Sequence, residues 1–154
     1  MIRLENILTP GRSVVNAPGG SKKRVLEQIG AVIARDVPEM DAQQIFESLV
    51  AREKLGSTGF GNGIAIPHCR FSGCRSPLAA ILRLETAVDF DALDGAPVDL
   101  LLVLLVPESA TEEHLQLLRQ IAGLLDRAEV RDRLRRAPDS NALYNTVVEL
   151  QSGQ

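Results

Sequence analysis

The chain has 154 residues, of which 45% are hydrophobic and 24% charged, a size and composition typical of one globular domain. Its formal net charge of −3 disfavours a general nucleic-acid binder, because contacts to phosphate backbones need a basic surface. Aromatic residues make up only 3%, which disfavours base-stacking platforms, and the longest apolar run, residues 100–106, is too short to span a membrane.

The N-terminal segment, residues 1–12 (MIRLENILTPGR), lacks the basic, apolar and small-residue order of a signal peptide. We therefore expect a cytoplasmic protein. Cysteines stay reduced in that compartment, so Cys69 and Cys74 are expected to be thiols and not a disulfide.

Two amphipathic helices are predicted next. Ser21 is suited to cap a helix start, and apolar residues recur after it at helical spacing until Pro38. Asp41 with Gln44 resembles a capping box, which opens a second helix that ends just before Gly56.

The middle of the chain predicts a loop and three strands. The segment GSTGFGNG at residues 56–63 has four glycines in eight residues, which predicts a loop. Short strands are predicted at residues 64–68 (IAIPH) and 78–84 (LAAILRL). The near-continuous apolar run at residues 98–106 (VDLLLVLLV) is typical of a central strand with helices on both faces.

The C-terminal third predicts three helices. Thr111 is suited to cap a helix running from Glu112 to about Arg127, a shorter helix follows at residues 129–136, and a last one opens at Asp139. Helices before and after a set of strands that includes a buried one predict a single α/β sandwich over residues 1–154.

The only two histidines, His68 and His114, lie at the ends of predicted elements. His68 stands at the end of a predicted strand that comes just after the glycine loop. His114 lies in the first turn of a predicted helix, where unpaired N–H groups and the helix dipole favour anions and disfavour imidazolium. A neutral imidazole there could act as a nucleophile or bind phosphate. Spacing alone equally permits two unrelated surface histidines.

Other chemistries fit the residues less well. The glycine loop matches neither the P-loop nor the GxGxxG fingerprint of nucleotide-binding proteins. A glycine-rich turn is usually only a turn. A metal site would have to use both histidines and both cysteines, but His68 and Cys69 are neighbours on an extended segment and point to opposite faces, so we expect no metal. A Cys69–His114 thiol nucleophile lacks an orienting third group. The arginine-rich residues 127–136 are interleaved with acids, which indicates a solvated face.

One long run carries a family resemblance. Residues 52–68, REKLGSTGFGNGIAIPH, closely resemble the active-site signature of the phosphotransferase-system enzyme IIA proteins of the fructose and mannitol class, most of all their stand-alone nitrogen-regulatory branch. A second block, residues 90–100 (FDALDGAPVDL) with LLVPE at 104–108 and then His114 with Leu115, is similar to the same family. The predicted helices fit in order, so the resemblance covers essentially the whole chain.

The resemblance implies a three-layer α/β/α sandwich with a mixed sheet, and a phosphohistidine carrier without cofactor. By this resemblance His68 accepts a phosphoryl group from an HPr-like phosphocarrier, on the ring nitrogen farther from the backbone. His114 is the second active-site histidine and Arg52 the nearby cation. The phosphate contacts that we expect from the glycine loop are Ser57, Thr58, Gly59 and Asn62.

The nitrogen-regulatory branch acts by binding other proteins according to its phosphorylation state, so we expect an output regulator of a phosphorelay, with Phe60 as a docking contact. One alternative is a sugar-transport IIA protein that passes phosphate to a IIB partner. Another is a binding module that is not phosphorylated, because Cys69 stands where the family usually has Gly. If that position needs a positive φ, a Cβ there costs about 1 kcal/mol or more.

Overall fold

The computed structural model describes residues 2–109 and 112–151. Within them the α-helices are α1 (Lys22–Asp36), α2 (Ala42–Glu53), α3 (Glu112–Leu125), α4 (Ala128–Arg136) and α5 (Ser140–Leu150). The strands are β1 (Ser13–Ala17), β2 (Gly59–Gly61), β3 (Ile64–Ala65), β4 (His68–Arg70), β5 (Leu78–Val88) and β6 (Val98–Val106). Two short 3-10 turns, Leu4–Asn6 and Pro10–Arg12, precede β1.

These strands form one mixed sheet around β6. The order is β1, β5, β6, β3, β2, with β4 pairing with β6 beyond the end of β3. Strand β6 is antiparallel to β5 and parallel to both β3 and β4, while β1 is parallel to β5 and β2 antiparallel to β3. The continuous apolar run was predicted to be a central strand, and this is confirmed.

Alternate residues of β6 face two separate cores. Leu101, Val103 and Leu105 pack with the apolar faces of α1 and α2. Their neighbours Leu100 and Leu102 pack on the opposite side, with α3, α4 and α5. The period of two along a strand thus divides the apolar side chains between two layers of helices, which confirms the expected α/β/α sandwich.

Side-chain caps fix three helix starts where the sequence predicts them. At Ser21, Asp41 and Asp139 the side-chain oxygen accepts a hydrogen bond from the backbone N–H three residues later, at 2.8 to 3.1 Å. Such caps satisfy N–H groups that have no partner within the helix. The predicted cap Thr111 lies outside the described residues.

The glycine segment differs from the prediction of a plain loop, since it contains β2. Strands β2 and β3 form a hairpin whose turn is Asn62–Gly63, with φ of 58° and 78°. Positive φ at both positions is typical of a two-residue turn between strands, and Asn-Gly is the dipeptide that favours it. Gly59 is required for a different reason, because a Cβ there would lie 2.8 Å from the Cα of Ala92.

Other elements differ as well. The strand predicted at residues 64–68 is interrupted at residues 66 and 67, with β3 before the break and β4 after it. Strand β1 was not predicted, because it is short, it contains Asn16 at a φ of 54°, and its partner β5 lies far along the chain. Strand β5 continues four residues beyond the predicted end at Leu84. No helix in the described part of the chain is long and apolar enough to cross a membrane.

The two helical glycines Gly30 and Gly123 give a matched test of the packing between α1 and α2. A Cβ on Gly30 would lie 2.6 Å from the carbonyl oxygen of Ala42 on α2, whereas a Cβ on Gly123 in α3 would meet nothing within 4 Å. We expect Gly30→Ala to lower the free energy of unfolding by about 1–3 kcal/mol. Gly123→Ala should raise it by about 0.5–1 kcal/mol through helix propensity. Urea unfolding measures both, and equal effects would contradict the close approach.

Candidate functional site

Two imidazole rings from different layers meet at one place in the fold. His68 opens β4 and pairs with Leu104, near the end of β6. His114 lies in the first turn of α3, which begins soon after β6 ends. The ring centroids are 6.0 Å apart and the ring planes are inclined at 76°. The structure therefore brings together the two histidines that the sequence singles out.

The hydrogen bond of His68 selects which of its nitrogens is reactive. Its Nδ1 lies 2.8 Å from the carbonyl oxygen of Ile66. A carbonyl can only accept, so Nδ1 carries the proton and donates it. In the neutral ring the lone pair then resides on Nε2, the nitrogen farther from the backbone.

The surroundings of His68 favour this neutral form. Burial is the largest cause that lowers its pKa from the ordinary value, and the positive charge of Arg52 lowers it further. The hydrogen bond to Ile66 and the carboxylate of Glu53 act in the opposite direction, and the net shift is downward. A lowered pKa keeps the Nε2 lone pair available near pH 7.

His114 offers a nitrogen that lacks a partner in the described structure. Its Nε2 is buried and makes no hydrogen bond to the residues described. Burial lowers the pKa of His114, and the charges of His68 and Arg70 lower it further. A buried polar atom without a partner costs free energy, so Nε2 is suited to an incoming polar ligand next to His68.

Arg52 reaches this site from the last turn of α2. Its Nη1 donates to the carbonyl oxygen of Gly56 at 2.9 Å. A guanidinium has five N–H donors, so this bond leaves others for an anion. The positive charge of Arg52 is one of the causes that lower the pKa of His68.

The polar groups of the predicted loop contacts already have partners within the protein. Ser57 Oγ donates to Phe90 O at 2.6 Å and accepts from Gly59 N at 2.9 Å. Thr58 donates its hydroxyl to the carboxylate of Glu53. These bonds shape the loop, and a phosphate-binding role for these residues stays a prediction.

The hairpin turn at Asn62 is held in the same way. Its N–H donates to Asp94 Oδ2 at 3.0 Å, and its carbonyl accepts from Arg135 Nη2 at 2.7 Å. The phosphate contact expected from Asn62 therefore also stays a prediction.

Two charged residues near the site were not assigned from the sequence. Arg70 follows His68 by two residues in β4 and is exposed. Residues two apart on a strand share a face, which is a signal that could have identified Arg70. Glu53 follows Arg52 in the signature run, but its partner Lys22 lies on another helix at 2.9 Å, and no local pattern indicates that pairing.

Cys69 does not have the positive φ that would strain a residue with a Cβ. It lies within β4, paired with Leu105, and it is not among the residues with positive φ. The Cβ there therefore causes no left-handed strain. Its side chain is buried in the core that faces α1 and α2, and burial raises the pKa of this thiol to about 12. Cys69 and Cys74 are both free in the structure.

Metal binding has no candidate in residues 2–109 and 112–151, where no three His, Cys, Asp or Glu side chains are grouped around a common point. The site is instead two imidazoles, two arginines and one buried carboxylate. This set of groups can supply a nitrogen nucleophile and positive charge for an anion.

A family model described as the phosphoenolpyruvate-dependent sugar phosphotransferase system, EIIA 2, matches residues 6–149. The chain belongs to this family, whose members are phosphotransferase components, and the resemblance seen in the signature run is confirmed. The chain is 77% identical to a nitrogen regulatory protein of Pseudomonas aeruginosa, over all of both chains.

Solved structures agree on the fold. The nitrogen regulatory protein IIA-Ntr from Neisseria meningitidis superposes with a TM-score of 0.87 at 40% identity, covering 94% of this chain and 98% of that one. IIA mannitol from Escherichia coli gives a TM-score of 0.70 at 18% identity, over 92% and 96% of the two chains. The second likeness is one of fold alone.

The pKa values of the two histidines can be measured by NMR titration of the ring Cε1–H signals. We expect both to titrate below the ordinary value of about 6.5. Arg52→Met should raise the pKa of His68, because it removes a positive charge that lowers it. Arg136→Met, which removes an exposed arginine at the end of α4, is the control and should leave it unchanged. A His68 pKa at or above the ordinary value would contradict the buried, neutral ring.

The two thiols should resist modification in the folded protein. Because burial raises the pKa of Cys69 to about 12 and also raises that of Cys74, the thiolate that reacts with disulfide reagents is scarce at pH 8. We expect slow reaction with a chromogenic disulfide in buffer and fast reaction of both thiols in urea. Fast native labelling that Cys69→Ala abolishes would be the contrary result.

Proposed function

We propose that His68 accepts a phosphoryl group on Nε2 from the phosphohistidine of an HPr-like phosphocarrier. The observation that carries this proposal is the bond from His68 Nδ1 to the Ile66 carbonyl, which leaves the lone pair on Nε2. In the transfer, the P–N bond of the donor breaks as the new P–N bond to Nε2 forms. The electron pair of the broken bond stays with the donor imidazole.

Charge on the phosphoryl oxygens is neutralised by groups on three elements. Phosphoryl transfer depends mainly on in-line placement and electrostatic stabilisation. Arg52 lies at the end of α2 and Arg70 on β4. Buried His114 Nε2, which has no partner among the described residues, lies in the first turn of α3, where the helix dipole also favours an anion. In this assignment His68 is the nucleophile, and Arg52 and His114 contact the phosphoryl group.

The loop residues Ser57, Thr58, Gly59 and Asn62 belong to this proposal in a supporting role. Their observed hydrogen bonds lie within the loop and to Glu53, Phe90, Asp94 and Arg135. Direct phosphate contacts from them require those bonds to be shared or exchanged on phosphorylation.

We further propose that the chain is the output regulator of a nitrogen phosphotransferase relay, in the cytoplasm, acting as one EIIA domain through phosphorylation-dependent protein binding. The high identity with a nitrogen regulatory protein supports this. The exposed large hydrophobic side chains of the described residues also lie on segments around the site, at Leu55, Phe60, Leu93 and Leu115. A phosphoryl group among them changes the local charge that a docked protein meets.

Incubation with a phosphorylated HPr-like donor and intact-mass analysis tests the acceptor. We expect one acid-labile phosphoryl group on the wild type and none on His68→Ala. His114→Gln should be phosphorylated about 100-fold more slowly, as expected when one donor to the transferred group is lost. Acid-labile phosphate on His68→Ala would overturn the assignment.

The same labelled protein separates the alternatives. Transfer onward to a IIB domain, coupled to sugar phosphorylation, would indicate a sugar-transport component in place of the regulator. Failure of wild type to accept phosphate, when Cys69→Gly accepts it, would indicate a binding module in which Cys69 blocks the reaction.

A further inference from the structure

Glu53 is a buried carboxylate beside the site. Its side chain is 5% exposed, and Lys22 Nζ lies 2.9 Å from Oε1. Burying a carboxylate costs free energy unless it is paired and hydrogen-bonded. The hydrogen-bond and ion-pair partners of Glu53 therefore indicate the role of this buried carboxylate.

Both carboxylate oxygens of Glu53 contact one residue of the signature run. Oε1 accepts from Thr58 N at 3.2 Å, and Oε2 accepts from the Thr58 hydroxyl. These two hydrogen bonds hold both the backbone and the side chain of Thr58. A carboxylate that binds N–H and O–H at once makes charge-assisted bonds, which are stronger than neutral ones.

Two further hydrogen bonds connect Thr58 to the reactive ring. The Thr58 carbonyl accepts from Ile66 N at 3.0 Å. The Ile66 carbonyl in turn accepts from His68 Nδ1 at 2.8 Å. Glu53, Thr58, Ile66 and His68 thus form a chain of bonds that begins on α2 and ends at the imidazole.

Lys22 holds the other side of the same loop. Its Nζ lies 4.7 Å from the centre of the Phe90 ring and 3.4 Å from the Phe90 carbonyl oxygen. That carbonyl also accepts from Ser57 Oγ at 2.6 Å. The ion pair of Lys22 and Glu53 therefore connects α1 and α2 to Thr58 and to Phe90. Lys22 also offsets the negative charge of Glu53, which would repel phosphate.

We propose that Glu53 is a positioning residue for phosphoryl transfer: through Thr58 and Ile66 it holds His68 as the Nδ1–H tautomer with Nε2 directed at the donor. The inference rests on the proposed phosphorylation of His68. The tautomer of His68, however, can be measured without a phosphodonor. The positioning role of Glu53 and the phosphorylation of His68 can therefore be tested separately.

The test uses Glu53→Gln and Thr58→Val in the full chain. Glu53→Gln removes the charge at nearly constant shape, and Thr58→Val removes the hydroxyl but keeps the backbone N–H. Glu47→Gln is the matched control, because Glu47 is an exposed carboxylate on the same helix that accepts a hydrogen bond from Gln43. Nitrogen-15 chemical shifts of the His68 ring report the tautomer, and rapid-quench transfer from a phosphorylated HPr-like protein reports the rate.

We expect both variants to increase the share of the Nε2–H tautomer, and each to slow transfer by about tenfold or more through loss of alignment. Glu53→Gln should also lower the pKa of His68, since the carboxylate raises it. Thr58→Ser, which restores the hydroxyl, should restore the wild-type tautomer.

Wild-type tautomer ratios in both Glu53→Gln and Thr58→Val would overturn the proposal, even if unfolding by urea showed a loss of stability. A changed tautomer ratio in Glu53→Gln alone would also overturn it, because Glu53 would then affect His68 without the hydrogen bond from the Thr58 hydroxyl. Absence of phosphorylation in the wild type would instead refute the proposed function, while the tautomer measurement would still decide the positioning role.

Discussion

The site depends on one hydrogen bond, from His68 Nδ1 to the carbonyl of Ile66. A neutral histidine ring can place its lone pair on either nitrogen, and a fixed acceptor at one nitrogen, here a backbone carbonyl, removes that freedom. Ile66 lies between β3 and β4, where the chain leaves the edge of β6 and returns to it two residues later. Because Pro67 O still accepts from Leu104 N at 2.9 Å, the interruption leaves the pairing with β6 in place while the Ile66 carbonyl bonds to the ring.

The charges around the ring serve two states of the same molecule. Before transfer, burial and Arg52 lower the pKa of His68 and keep its Nε2 unprotonated. In the proposed phosphorylated state, the same cation would face a doubly charged phosphoryl group, for which it is a favourable partner. Glu53 has the opposite sign, but Lys22 compensates it at 2.9 Å. The arrangement therefore favours a neutral His68 ring, and it suits the anionic product of the proposed transfer.

Features with local causes could be predicted from the sequence, and features with distant causes could not. The caps at Ser21 and Asp41 and the apolar run of β6 depend on neighbouring residues, and the structure has them where they are predicted. Strand β1 forms because β5 lies beside it, and nothing within the strand indicates that partner. At the site, the signature run identified His68 with Arg52, whereas the pairing of Glu53 with Lys22 arises only when α1 packs on α2.

The order of the strands also bears on self-association. Three strands have an unpaired edge in the described sheet: β1, with five residues, β2, with three residues of which two are glycine, and β4, with three residues. Unpaired strand edges can act as templates for another chain, and short, irregular edges suppress this. A positive φ at Asn16 in β1, the tight turn that follows β2 and the short length of β4 make all three edges poor templates. Strand-to-strand pairing between copies of this chain is thereby disfavoured, even though some large apolar side chains are exposed on its surface.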